Sequence, residues 1–227
     1  MSELSPNKPL SEALVKKARL KQKVYNNTLK TFRLFKTAIK DSVRDHHKKY
    51  PREESNIPFE YKDKGDFELE MKFAGDILIF LMHTNVFEIP RDHLVMKSSY
   101  VKEDKERSYC GIINIYNFLA DSFKYKRVND IGYLIGRVFI NKDMHYFIEG
   151  KREIGLLYNN FNTAEMSKKA AREIVESAIR YTINFDLLTP PFDTVKEISV
   201  FDIQSTLDNI SLKTAKRLGF KFQADEE

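Results

Sequence analysis

The stretch from Asp66 to Ile89, DFELEMKFAGDILIFLMHTNVFEI, restricts what this chain can fold into more than any other. Phe67, Leu69, Met71 and Phe73 alternate with Asp66, Glu68, Glu70 and Lys72. That period of two predicts a strand with one buried and one wet face. Ala74-Gly75-Asp76 carries turn chemistry, since glycine accepts a positive φ and aspartate bonds its own backbone. Ile77 to Met82 is apolar at every position, which predicts a central strand covered on both faces. Strands joined by so short a turn pair antiparallel, because parallel neighbours need a long crossover.

The same pattern recurs downstream. Tyr133 to Ile140 and Met144 to Glu149 flank Asn141-Lys142-Asp143 as a second hairpin, and Ile154 to Tyr158 is a candidate third strand. Gly132 and Gly136 point to a bulge or a close neighbour. Helical spacing frames the hairpins. Neither Gly nor Pro interrupts the chain from Glu12 to Lys49, where Leu14, Ala18, Tyr25, Leu29, Phe32, Ile39 and Val43 form a stripe with Phe35 beside it. This reads as one helix capped by Ser11 and ended by Pro51, or as two with a break at Asn26-Asn27. The stripe is denser after Val24, so the first half is expected to project and the second to dock.

Ala164 to Asn184 reads as a helix capped by Thr163. Ile112, Ile115, Tyr116, Leu119 and Phe123 fit one helical face, so helix is predicted through Lys126, with a strand as the alternative for Gly111 to Ile115. Pro51 to Gly65 reads as a polar linker. Lys102-Glu103-Asp104-Lys105-Glu106-Arg107 alternates in sign and reads as a solvated connection. Val195 to Ile203 is a candidate edge strand, and Ser211 caps a short basic helix ending at Gly219. The order defines an α+β class: a single antiparallel sheet built from two hairpins, flanked by a long N-terminal helix and a C-terminal helix. Three segments are expected: residues 1–50 as a basic helical arm, 51–188 as the α+β core, and 189–227 as an extension.

Charge separates the arm from the rest. Residues 1–49 hold thirteen Lys and Arg against four Asp and Glu, a net +9, whereas the whole chain carries +5. Lys16, Lys17, Arg19, Lys21, Lys23, Lys30, Arg33 and Lys36 are therefore the candidate contacts for an acidic partner, either nucleic acid without sequence preference or an acidic protein surface. The competing reading is a solvated helix face, for which lysine is well suited. No apolar run reaches membrane-spanning length and residues 1–10 are polar, so a cytoplasmic protein without a membrane partner is expected. Homo-oligomerisation through Tyr25, Leu29, Phe32 and Ile39 is a further class.

Reaction chemistry is sparse. Glu70-Met71-Lys72 and Glu149-Gly150-Lys151 each place an acid two residues before a lysine, with Asp66 upstream of the first and Asp130 or Asp143 upstream of the second. Through these residue types the chain resembles the restriction-endonuclease-like nucleases. That resemblance implies metal-dependent phosphodiester cleavage by Asp66, Glu70 and Lys72, or by Asp130, Glu149 and Lys151. The alternative is the polar face of a hairpin with cross-strand ion pairs. No histidine spacing suits a metal, and adjacent His46 and His47 diverge by about 100° on a helix. His83 is the histidine to inspect for perturbed titration. Cys110, the lone cysteine, lies in an apolar setting and reads as a buried thiol. No phosphate loop or nucleophile elbow is present, and no cofactor is implied. A helix-turn-helix over Val200 to Leu218 lacks the usual turn glycine, so a capped terminal helix is preferred. Aromatics from Phe67 to Phe147 could line a pocket but fit a core as well. The expected function is a non-enzymatic binding or regulatory module.

Overall fold

The computed structural model describes residues 9–51, 57–150, 160–185, 189, 191–201 and 203. Its frame is a seven-stranded antiparallel sheet in which, apart from β4, strands follow one another in chain order. The strands are β1 (Phe59–Asp63), β2 (Glu68–Phe73), β3 (Asp76–Met82), β4 (Phe87–Glu88), β5 (Tyr109–Leu119), β6 (Tyr133–Asn141) and β7 (Tyr146–Gly150). Sheet order follows the numbering, with β4 paired beside β3 on the first residues of β5. Helix α1 (Leu10–Lys49) lies across one face. Short α2 (Ser99–Glu103) and α3 (Ala120–Lys124) bracket β5, α4 (Lys168–Ile183) packs beside α1, and α5 (Phe192–Val195) is a single turn. This is the α+β class predicted, with both hairpins in place.

Alternation in β2 resolves as expected: Leu69, Met71 and Phe73 are buried, while Glu68, Glu70 and Lys72 face the other side. The positive φ of the tight turn falls on Ala74 (48°) and not on Gly75, and Asp76 already pairs with Phe73. β3 is central, fully covered on one face and partly on the other, where Ile77 is buried. Leu78, Phe80 and Met82 enter the core, whereas Leu81 stays 39% exposed.

α1 is continuous through Asn26-Asn27. Pro9, not Ser11, occupies the cap position and offers no side-chain bond. Burial begins at Leu20 and runs through Val24, Phe32, Phe35, Ile39 and Val43, while Leu10 and Leu14 stay exposed, so the first turns project. Phe32, Phe35 and Ile39 pack with Leu69, Met71 and Phe80 in the main core. Each such burial contributes about 1.5–3 kcal/mol.

Residues 109–119 are strand, not helix. Ile113 and Ile115 face α1 while Ile112 and Tyr116 face away, the alternation of a strand central to the sheet. Apolar residues on both faces had mimicked a helical stripe. The glycine signals hold: a bulge sets Ile115 opposite Gly136 but Tyr116 opposite Leu134, turning Ile135 into the core. A Cβ on Gly132 would sit 2.3 Å from the Phe118 ring. Two segments read as loops are ordered. β1 forms an edge strand within the polar linker, and residues 99–108 form α2 followed by a 3-10 turn.

α4 starts four residues later than expected. Ser167, not Thr163, caps it by accepting from Ala170 N, and Glu165 forms an isolated antiparallel bridge to His145. No strand occurs among the described residues of 195–203. The candidate strand at Ile154 to Tyr158, the helix at Ser211 and most of the helix-turn-helix segment lie outside the described residues.

At Gly111 α1 approaches the sheet closely: a Cβ there would lie 2.0 Å from Thr28 Oγ1. Gly111→Ala is expected to cost about 1–3 kcal/mol in urea unfolding. Gly75→Ala, which meets nothing within 4 Å, is the near-neutral comparison.

Candidate functional site

The outward side of α1 and the loops beside its first half hold the largest concentration of cations predicted to act. Four of the eight are occupied within the chain. Lys16 Nζ lies 3.2 Å from Glu106 and Lys23 Nζ 4.0 Å from Asp143. Lys17 sits over the Tyr109 ring at 3.5 Å. Lys36 donates to Asp63 and to the Gly65 carbonyl, both at 2.6 Å. Arg19, Lys21, Lys30 and Arg33 are exposed and pair with no carboxylate among the described residues. An open groove of about 610 Å³ runs along this half of the helix, between Arg19 and Lys23 on one side and Glu106 and Lys142 on the other.

The loops that grip α1 form one polar network. Asn141 is fully buried at the end of β6. Its amide donates to Tyr100 Oη (3.0 Å), and its side-chain oxygen accepts from Asp143 N and His145 N. Asn27 on α1 donates to the carbonyls of Asn141 and Lys142 at 3.0 and 2.8 Å. Lys142 reaches Asp104 (2.5 Å) and Glu106 (3.1 Å). Arg107 bonds Asp143 and the Tyr100 carbonyl and lies over the Tyr100 ring. His145 also stacks on Tyr100, 4.7 Å between centroids. The run 102–107 is therefore pinned, not solvated, and its alternating charges were the only sequence signal of it.

Electrostatics follow contact. Hydrogen bonds from Lys142 hold the Asp104 and Glu106 carboxyls below their ordinary range, with Lys16 adding to the effect on Glu106. Burial, together with the Asp143 charge, pushes the Tyr100 hydroxyl up to about 12. This network spends its donors and acceptors on structure.

The nuclease candidates occupy separate places. Asp66 is exposed in the turn between β1 and β2. Glu70 and Lys72 form ion pairs with Lys64 and with Glu60 (3.7 Å) on the sheet face away from α1. Glu149 meets His93 Nε2 at 2.8 Å and Arg137 at 3.6 Å. Asp130 accepts from Ser122 (2.7 Å) and sits 2.9 Å from Arg127 Nε, an ionic contact whose N–H points off the line to the oxygen. Lys151 lies outside the described residues. Among the described residues, no group of three His, Cys, Asp or Glu side chains could hold a metal ion.

The other singled-out residues are packed locally. His46 stacks on Phe59 at 4.4 Å, and burial, with His47 adding, lowers its pKa. His83 accepts from Asn85 N. Cys110 is fully buried, which pushes its thiol far up. Phe73, Phe80 and Tyr146 belong to the main core, and Phe139 and Phe147 to a second cluster under residues 87–108. No described helix is long and apolar enough to cross a membrane. Comparison of the chain with family models, curated proteins and solved structures finds no match.

Asn141→Ala removes a buried acceptor from two backbone N–H groups and a donor from Tyr100, so a loss of about 2–3 kcal/mol in chemical denaturation is expected. Because Asp104 and Glu106 have lowered pKa values in the fold, their stabilisation is present above the unfolded carboxylate range and vanishes as pH falls through the folded values. Melting temperature should therefore drop on acidification below about pH 5. In the double variant Asp104→Asn with Glu106→Gln, that acid limb should be flatter.

Proposed function

We propose that the protein is a non-enzymatic binding module whose outward α1 face contacts an acidic partner, nucleic acid backbone or an acidic protein surface. The observation that carries this reading is the set Arg19, Lys30 and Arg33, exposed on one side of α1 without internal counter-charges among the described residues, while Lys21 is exposed about half a turn round the helix. An unneutralised cation gains more from a polyanion than one already paired, which must first release its own carboxylate. Lys16, Lys23 and Lys36 fasten the helix and Lys17 rests on an aromatic ring, so their part in recognition is secondary. The α1 inner face is locked into the core, which holds the outer cations on a rigid rod. Lysine and arginine contacts of this type address phosphates rather than base edges, so binding is expected to ignore sequence.

With about three phosphates neutralised, affinity for duplex DNA should fall roughly fortyfold between about 50 and 200 mM salt. Fluorescence anisotropy with random-sequence duplexes, and with an acidic polypeptide in parallel, measures this. Reversing Lys30 and Arg33 to Glu should weaken binding and shallow the salt slope, whereas Lys48→Glu should do little. Affinity that is indifferent to salt, or no binding to either polyanion, removes the reading.

A further inference from the structure

The sheet face away from α1 is only partly covered. Residues 87–108 and Phe161 shelter its Cys110, Phe139 and Phe147 corner. Ile79 and Tyr116 remain half-buried, and Leu81 and Leu134 are 39% and 38% exposed. Strand register puts these side chains on adjacent rungs at the middle of the sheet.

One rung can be followed across six strand positions. Lys64 extends β1 by donating its N–H to Glu68, Glu68 pairs with Leu81, Leu81 with Asn114, Asn114 with Arg137 and Arg137 with Glu149. Directly paired residues share a face. The rung thus reads positive, negative, apolar, amide, positive, negative. Turned end for end, every charge meets its opposite. The neighbouring rungs begin Lys62–Glu70–Ile79–Tyr116 and Glu60–Lys72–Ile77–Phe118. Four cations and four anions balance across the three, which gives a polyanion no reason to dock here. Asn114 Oδ1 and Arg137 Nε, both within the self-complementary rung, are buried without a partner.

We infer that this open face is an interface for a second copy of the chain, packed sheet to sheet about a two-fold axis parallel to the strands between β3 and β5. That axis lays β2 over β6 and β1 over β7 of the other copy. Glu68 then faces Arg137, Lys64 faces Glu149, Leu81 faces the Asn114 amide, and in the next rung Ile79 faces Tyr116. An isologous patch has to complement itself, and this rung does, by letting the Lys64–Glu68 and Arg137–Glu149 pairs of each copy share their charges across the axis. Six strand positions on this rung and five on the Lys62 rung, about 4.8 Å apart across and about 6.8 Å along the strands, cover about 350 Å² per copy, less than the roughly 800 Å² of a standard interface. The dimer is therefore reversible and concentration-dependent. α1 lies on the other side of the sheet, so the inference does not depend on what α1 binds.

Sedimentation velocity of the full chain over a concentration series tests it. The wild type should shift from one chain towards two, and Leu81→Lys should stay monomeric throughout. Glu68→Arg and Arg137→Glu should each be monomeric alone, because each sets like charges against each other twice. An equimolar mixture of the two should dimerise, since both crossed pairs are then opposite in sign. Circular dichroism matching the wild type shows that the single variants are folded. A wild type that stays monomeric, dimers that survive Glu68→Arg and Leu81→Lys, or a mixture that fails to associate would each overturn it.

Discussion

Most of this molecule's architecture depends on the burial of one stripe of α1 against one face of the sheet. Phe32, Phe35 and Ile39 meet Leu69, Met71 and Phe80, and Gly111 lets the helix backbone come close at Thr28. An α-helix presents its faces in fixed angular relation. Once the apolar stripe is seated, the positions of Lys30, Arg33 and Lys40 are set as well, outward and exposed. α4 packs beside α1 and adds Ala170, Ala171, Ile174 and Ala178 to the same core, small side chains that allow two helices to share the face.

The first half of α1 is held by different forces. Beyond Leu20 towards the N-terminus there is little apolar surface to bury, and the helix is fastened by Asn27, Lys23, Lys17 and Lys16 to the β6–β7 turn and the 104–109 segment. Exposed ion pairs of this kind contribute little one at a time. Their anchor is Asn141, whose buried amide organises the turn that carries Lys142 and Asp143. Charge on this arm therefore has two uses. Some of it attaches the helix, and the remainder faces outward without a counter-charge from the described residues.

The sheet is asymmetric by construction. One face is dry under two helices, and the other is divided between a small aromatic cluster and an open strip. Phe139 and Phe147 stack nearly parallel at 4.5 Å within the covered corner. The open strip keeps large apolar side chains at a solvent boundary beside balanced charges, an arrangement better suited to a protein surface than to a polyanion.

The chain by itself determined the elements whose pattern is local. Alternation in 67–73, the second hairpin around Asn141-Lys142-Asp143, and the Gly- and Pro-free run to Lys49 each specify their structure within a few residues, and the net charge of the arm is a matter of counting. Tertiary structure decided the rest. Residues 109–119 are strand because they pair with strands on both sides, and an apolar central strand has no period of its own to distinguish it from a helix. Whether Lys16 or Lys30 carries free charge depends on Glu106, ninety residues from the first and absent from the second, and no local pattern reports a contact made at that separation.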